Sequence, residues 1–385
     1  MRKMALSRVE ELFGSRANPS LVLAPMVRAG TLPLRLLALH HGAQTTWSEE
    51  LIAQKLKNCR RVVNNELGTV DFVTDHGGKE SLVYQTCAYE EGRNILQIGA
   101  SNAEDALAAA RVVAGDVSGV DLNCGCPQHF SISGGMGAAL LSKPCVTAEI
   151  LSTLRRELPA NVTVSCKIRL LDSEKQTVEF IERMIAAGAD AITVHARRVP
   201  ERPRDKARWD ELEAILQTCS VPVVVNGDVF TRSDRDRILS RVPSASGAMV
   251  ARGAISDVSN AFRGEPQTIS ELMRDYLAVA ELCTPSFPNC KWFASQVIRY
   301  RSEFHIETNQ TKKTLNEAIA RSKTIEELLG AFSIDGPLRS RQDCWGGLLT
   351  EPSRDAWTRA IERALSSASH SGEDQDSKRL KIHTD

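Results

Sequence analysis

Between residues 20 and 265, eight short apolar runs alternate with helical stretches, and this alternation limits the possible folds more than any other feature of the chain. The runs are 21–25, 44–48, 95–99, 119–123, 162–169, 191–196, 221–226 and 248–251. Most are apolar on both faces, as strands covered on both sides of a parallel sheet are. Helical segments such as 103–114, 146–157 and 177–187 lie between them. Eight strand–helix units in roughly 250 residues predict a (β/α)8 TIM barrel, an α/β fold. A doubly wound open sheet is the alternative, but it seldom needs eight successive units. One interruption, 68–86, reads as an inserted β-ribbon turning at Asp75-His76-Gly77-Gly78.

Beyond residue 268 the strand signals stop. Helical patterns run through 270–282, 289–301, 311–321 and 325–332, then a polar segment with Pro337, Gly346 and Gly347, then a helix around 354–367. The expected organisation is an N-terminal extension (1–17), a barrel domain (18–265), a smaller all-α domain (268–367) and a disordered polar tail (368–385). Lys378-Arg379-Leu380-Lys381 in that tail reads as a solvated run rather than a nuclear address.

No stretch approaches the roughly 18–20 uninterrupted apolar residues that span a bilayer, so no membrane partner is expected. The first residues mix Arg2, Lys3, Arg8 and Glu10 with single apolar side chains and hold no secretory h-region. Ten scattered cysteines without a C-x-x-C pair predict reduced thiols and no metal site. A cytoplasmic or nuclear location is therefore expected, although the short basic start also permits a mitochondrial address. Forty-eight basic residues balance 48 acidic ones, which excludes a generic nucleic-acid coat and leaves room only for a local basic face.

In a TIM barrel the active site lies at the carboxyl ends of the strands. Unusual polar residues fall there: Ala24-Pro25-Met26 on the first strand, Gln97 on the third, and Asp121-Leu122-Asn123 before Cys124-Gly125-Cys126-Pro127 on the fourth. Lys167 and Arg169 follow on the fifth, His195 and Arg197 on the sixth, Asn226-Gly227-Asp228 on the seventh and Ala251-Arg252-Gly253 on the eighth. Phosphate is commonly held after strands seven and eight, where this chain has glycines for close approach and one cation. A flavin ring needs donors and acceptors along its pyrimidine edge and a cation near N1, and Gln97 and Lys167 have the right chemistry. A salt bridge at the barrel mouth is the plainer alternative for Lys167.

These motifs carry a resemblance. Leu23-Ala24-Pro25-Met26-Val27-Arg28 with Gly30-Thr31, Asn123-x-Gly125-Cys126-Pro127, the run from Gly134 to Leu141, Lys167-Ile168-Arg169, His195-x-Arg197 and Asn226-Gly227 resemble the tRNA-dihydrouridine synthases. Glu49-Glu50-Leu51 and Met249-Val250-Ala251-Arg252 look most similar to the eukaryotic branch acting on uridine 20 of the D-loop. The resemblance runs in order over residues 18–330. It implies an FMN barrel, a helical tRNA-binding domain and NADPH as reductant. It further implies cofactor contacts from Pro25, Met26, Val27, Gln97, Lys167, His195, Asn226, Gly227, Asp228, Ala251 and Arg252, and substrate contacts from Asn123, Arg169, Arg197 and Arg198. Hydride would pass to C6 of the uracil and Cys126 would give a proton to C5, since an ordinary thiol is mostly protonated at neutral pH. Cys124 is expected to be structural.

The chain departs from that pattern at Asp228, where a second glycine is frequent, and at Gln128 and Ser133, where lysines are. Ala196 and Ala251 replace common glycines. No double-stranded RNA-binding domain is expected, and a monomer is. RNA contacts should then come from 197–208, with six basic and two acidic residues, and 291–323, with seven basic and three acidic residues and the aromatics Trp292, Phe293 and Tyr300. A flavin barrel acting on a small molecule and a barrel that only binds RNA are the rival readings.

Overall fold

Strands that are apolar on both faces can satisfy their backbone only inside a covered sheet, and here the sheet covers itself by closing. The computed structural model describes residues 2–283, 286–304, 308–346 and 353–366. Its strands are β1 (Ser20–Leu23), β2 (Thr45–Ile52), β3 (Arg60–Asn64), β4 (Thr69–His76), β5 (Lys79–Cys87), β6 (Asn94–Gly99), β7 (Gly119–Cys124), β8 (Thr163–Leu170), β9 (Ala191–Arg198), β10 (Val223–Asn226) and β11 (Gly247–Val250). Eight of them form a closed parallel barrel in the order β1-β11-β10-β9-β8-β7-β6-β2. The fold is the expected (β/α)8 barrel followed by a helical region.

The barrel interior is packed with Val22, Ala24, Trp47, Ile95, Ala191, Val224 and Met249. Helix Arg2–Phe13 plugs its amino-terminal end: Val9, Leu12 and Phe13 join that cluster, and Phe13 meets Trp47 edge-on at 5.6 Å. Thr45 and Ser20 donate their hydroxyls to the carbonyls of Leu12 and Phe13 at 2.8 and 2.9 Å. With the lower end sealed, the upper rim is where a ligand can enter.

The insertion between β2 and β6 is larger than the expected ribbon, because β3 joins β4 and β5 in a three-stranded antiparallel sheet. Arg60-Arg61-Val62-Val63-Asn64 shows no apolar face, so only its pairing with β4 makes it a strand. The turn does fall at Gly77-Gly78, both at positive φ, which suits a tight hairpin.

The helical region contains Ile269–Leu282, Phe287–Glu303, Asn309–Arg321, Ile325–Ala331, Arg341–Trp345 and Arg354–Ser366. Its Leu272, Phe293, Trp345 and Trp357 belong to the same apolar core as the outer layer of the barrel. Trp357 donates its indole N–H to the Gly68 carbonyl (3.2 Å), and Arg301 reaches back to the Ser256 carbonyl (3.1 Å). The predicted tail 368–385 and its basic run lie outside the described residues. Among the described residues, no helix is long and apolar enough to cross a membrane.

Candidate active site

The loop after β7 carries Cys126, and four hydrogen bonds hold it at the rim. Asn123 Oδ1 accepts the backbone N–H groups of Gly125 and Cys126, both at 2.9 Å. Arg169 Nε donates to the Gly125 carbonyl at 2.8 Å. The Ala138 N–H closes on the Cys126 carbonyl at 3.0 Å. The thiol is left half-buried.

Beneath it runs a buried polar ladder. Ser165 donates to Asp121 Oδ1 (2.7 Å), Gln97 Nε2 to Asp121 Oδ2 (2.8 Å), and Asn123 Nδ2 to Gln97 Oε1 (3.0 Å). Burial raises Asp121 to about 6, against the pull of these donors. One hydrogen bond joins Asn123 to Gln97, and each amide keeps one N–H for a ligand.

Lys167 on β8 faces the same cavity and has no hydrogen-bond or ion-pair partner among the described residues. Burial, and then the charge of Arg169, lowers its ammonium to about 8. Burial also holds His195 far below the ordinary imidazole range, reinforced by Lys167, Arg169, Arg197 and Arg252, so the ring is neutral. Arg197 Nη1 stands 3.2 Å from His195 Nε2. A guanidinium can only donate, so Nε2 accepts and Nδ1 keeps the proton.

A second cavity adjoins the first across Arg169 and His195. Its wall holds four guanidiniums (Arg169, Arg197, Arg202, Arg252) against two carboxylates (Glu201 and Asp228), a net positive lining. Arg197 and Arg252 both bond Asp228 Oδ1, at 2.5 and 3.2 Å, while Asp228 Oδ2 accepts the Ala207 N–H at 2.7 Å. Gly227 has φ +116°, and a Cβ there would come within 3.1 Å of His195 Cδ2. Glycine thus keeps the loop close to the ring. A net positive wall with a tight glycine turn suits a phosphate group.

The sequence candidates divide accordingly. Pro25, Val27, Gln97, Asn123, Cys126, Lys167, Arg169 and His195 line the first cavity. Asn226, Gly227, Asp228, Ala251, Arg252 and Arg197 line the second. Met26 packs on the barrel interior instead. Arg198 lines neither cavity: its two terminal nitrogens bond Glu211 at 3.2 and 2.9 Å. Cys124 is fully buried in the barrel wall.

Sequence reasoning missed Glu50 and Ser131. Glu50 lines the same cavity as Cys126 and acts on its thiol electrostatically, and Ser131 Oγ donates to Glu50 Oε1 at 3.3 Å. The signal was available, because Glu49-Glu50 closes the second strand at the same end as every other candidate. The expectation of an ordinary thiol needs correction. Burial, and next the charge of Glu50, pushes the Cys126 thiol up to about 11.

The basic stretches are thinner than their counts implied. In 197–208, Arg198 and Arg208 pair with Glu201 and Glu211, leaving Arg202, Arg204 and Lys206 outward. In 291–323, Arg299 pairs with Glu303 and Arg321 with Glu317, while Lys291 caps the carbonyls of Ala320 and Ser322. Lys313 and Lys323 remain exposed. Around the mouth, Val27 and Phe130 are 47% and 46% exposed, and Arg28 lies over the Trp292 ring at 4.7 Å.

The family described as dihydrouridine synthase matches residues 22–259. A Schizosaccharomyces pombe protein named tRNA-dihydrouridine(20) synthase [NAD(P)+] is 36% identical over 322 residues, which cover 81% of this chain and 64% of that protein. A Saccharomyces cerevisiae protein of the same name is 43% identical over 222 residues, covering 55% of this chain and 58% of its own. A human tRNA-dihydrouridine(20a/20b) synthase-like protein is 29% identical over 315 residues, covering 81% and 91%. The chain thus spans less than two thirds of the length of the two yeast relatives.

Proposed function

This chain belongs to the dihydrouridine synthase family, and from that premise we propose that it reduces the C5=C6 bond of a uridine in tRNA to dihydrouridine, with bound FMN and NADPH as reductant. The observation that carries the reading is one cavity at the barrel rim, lined by a thiol and by an ammonium that has no hydrogen bond or ion pair among the described residues. The similarity to the two yeast proteins supports uridine 20 as the position.

The residues fit a flavin. The positive cavity with Gly227 would take the phosphate, and Lys167, with the spare amide proton of Gln97, would take the electron-rich edge of the ring. When bound there, the flavin supplies the hydride that the protein's own side chains cannot. Lys167 holds positive charge beside the ring. Asn123 fixes the Cys126 loop and keeps one N–H for a uracil carbonyl, and Arg169 braces that loop from below. Cys126 gives the proton to C5 and receives another afterwards.

A base inside folded tRNA must leave its stack to reach this depth. Val27, Phe130 and the Arg28–Trp292 pair at the mouth offer apolar and π faces for nucleobases, and Arg202, Arg204, Lys206, Lys313 and Lys323 offer charge for the backbone. A cytosolic or nuclear setting suits the free thiols.

The test is spectroscopic. Purified protein is expected to carry flavin absorbance that NADPH bleaches and that tRNA lacking dihydrouridine restores under anaerobic conditions. Bleaching without reoxidation by tRNA would point to a small-molecule enzyme, and no flavin at all to a bare RNA binder. Lys167→Met should slow the NADPH step on the order of 100-fold, the usual loss on removing one preorganised charge donor. As the ammonium titrates near 8, the wild-type step should fall as pH rises through that value. A wild-type rate of flavin reduction in Lys167→Met would remove Lys167 from the ring.

A further inference from the structure

The chain takes an unusual course to bring a carboxylate against Cys126. The ladder between β2 and β6 pairs Trp47 with Ile95 and then Glu50 with Gln97, so β2 carries one extra residue in a bulge. Bulges of this kind re-aim side chains beside active sites. Here Glu49 turns to the Arg28 N–H (2.8 Å), and Glu50 turns into the cavity. Glu50 Oε1 lies over Gly99, where a Cβ would stand only 2.6 Å away, so any other residue would displace the carboxylate. Ser131 holds the side chain, which is 8% exposed, and among the described residues Oε2 is buried without a partner. Nothing in the packing of β2 calls for a carboxylate at this point, since an apolar side chain would avoid both the burial and the orphaned oxygen.

The charges around the sulfur explain it. From β8, Lys167 and Arg169 both interact electrostatically with Cys126. Two cations beside a thiol favour the thiolate, which is a nucleophile and not an acid. Burial and Glu50, the charged group on β2, oppose them, whereas the Gln128 N–H and Ser131 from the following loop side with the cations by favouring the thiolate.

We propose that Glu50 is a positioning residue for Cys126: its carboxylate, aimed by the bulge and seated over Gly99, keeps the proton on the sulfur against Lys167 and Arg169. This rests on the reading of Cys126 as proton donor. In each turnover the S–H bond breaks, the proton joins C5 with the electron pair left there by hydride addition at C6, and the thiolate regains a proton from water. Glu50 makes that return favourable and leaves the sulfur unable to compete as a nucleophile for C6.

The test reads the thiol directly in the full chain with its flavin bound. Alkylation of Cys126 by iodoacetamide, followed by mass spectrometry across neutral to alkaline pH, reports the thiolate fraction. In Glu50→Gln the alkylation midpoint should fall by about one pH unit or more, with roughly tenfold faster labelling at a given pH below it. Glu50→Asp, which keeps the charge one methylene further back, should lie between. The alkaline limb of single-turnover dihydrouridine formation should move with the midpoint. A Glu50→Gln protein that melts like wild type and labels along the wild-type curve overturns the proposal. If labelling shifts while Cys126→Ala still makes dihydrouridine, the proton-donor reading fails and the electrostatic role of Glu50 stands.

Discussion

Cys126→Ala is expected to lose about a thousandfold in dihydrouridine formation, roughly 4 kcal/mol of transition-state stabilisation, while still binding flavin and accepting electrons from NADPH. The two half-reactions separate because the thiol lies in the cavity away from the arginine-lined one, and contributes nothing to holding a phosphate. The loss should be large because an alanine methyl cannot donate a proton, and the neighbouring groups do not replace it. Lys167 and Arg169 are committed to charge and loop support, and Glu50 Oε1 is held by Ser131. Cys126→Ser is the more demanding variant: a hydroxyl is a far weaker acid, so restoring little activity is the expected result. Stopped-flow flavin reduction and mass-spectrometric dihydrouridine counting give the two rates. Dihydrouridine formation at the wild-type rate in Cys126→Ala would assign the acid to another group.

Arg35→Met should be the most destabilising single change at the junction of barrel, insertion and helical region, costing on the order of 3–5 kcal/mol. Arg35 and Glu90 form a fully buried bidentate pair, Nε–Oε1 at 2.7 Å and Nη2–Oε2 at 2.8 Å. The same guanidinium donates to the carbonyls of Gly30 and Gln85 at 2.8 and 2.7 Å and lies over the Tyr84 ring at 5.2 Å. It therefore ties the helix after β1, the end of β5 and the short turn at Ala88–Glu90 together. Methionine fills similar volume but strands the Glu90 carboxylate without its cation, and that uncompensated charge is the source of the cost. Exchanging both partners for apolar residues should cost much less, because no buried charge would remain. Chemical denaturation of the single and double variants measures the difference, and equal losses would show that the pair contributes little beyond packing.

The chain's sequence set out the barrel because eight runs apolar on both faces have few other ways to bury themselves, and the strand-end rule then drew most polar residues of one rim into a single site. Cys126, Lys167, Gln97 and His195 were legible on that basis. Arg198 was misplaced by the same rule, since a residue at a strand end can turn either toward the mouth or, as here, toward a glutamate on the next helix. Strand β3 was missed because its side chains carry no apolar alternation and its existence depends on a partner. The basic counts overstated the outward charge, because ion pairs between distant residues cannot be counted along a chain.

What the sequence determined by itself was therefore the architecture, the rim and the residue types collected there, all of which follow from local periodicity and order. Only the tertiary structure decided the state of those residues. A bulge between Trp47 and Glu50 and a glycine on the neighbouring strand bring Glu50 into the cavity with Cys126, where burial and its charge oppose the pull of two cations on another strand. Acidity depends on which charges stand within a few ångströms and how much water is excluded, and both are properties of chain segments remote in sequence that meet only when the barrel closes.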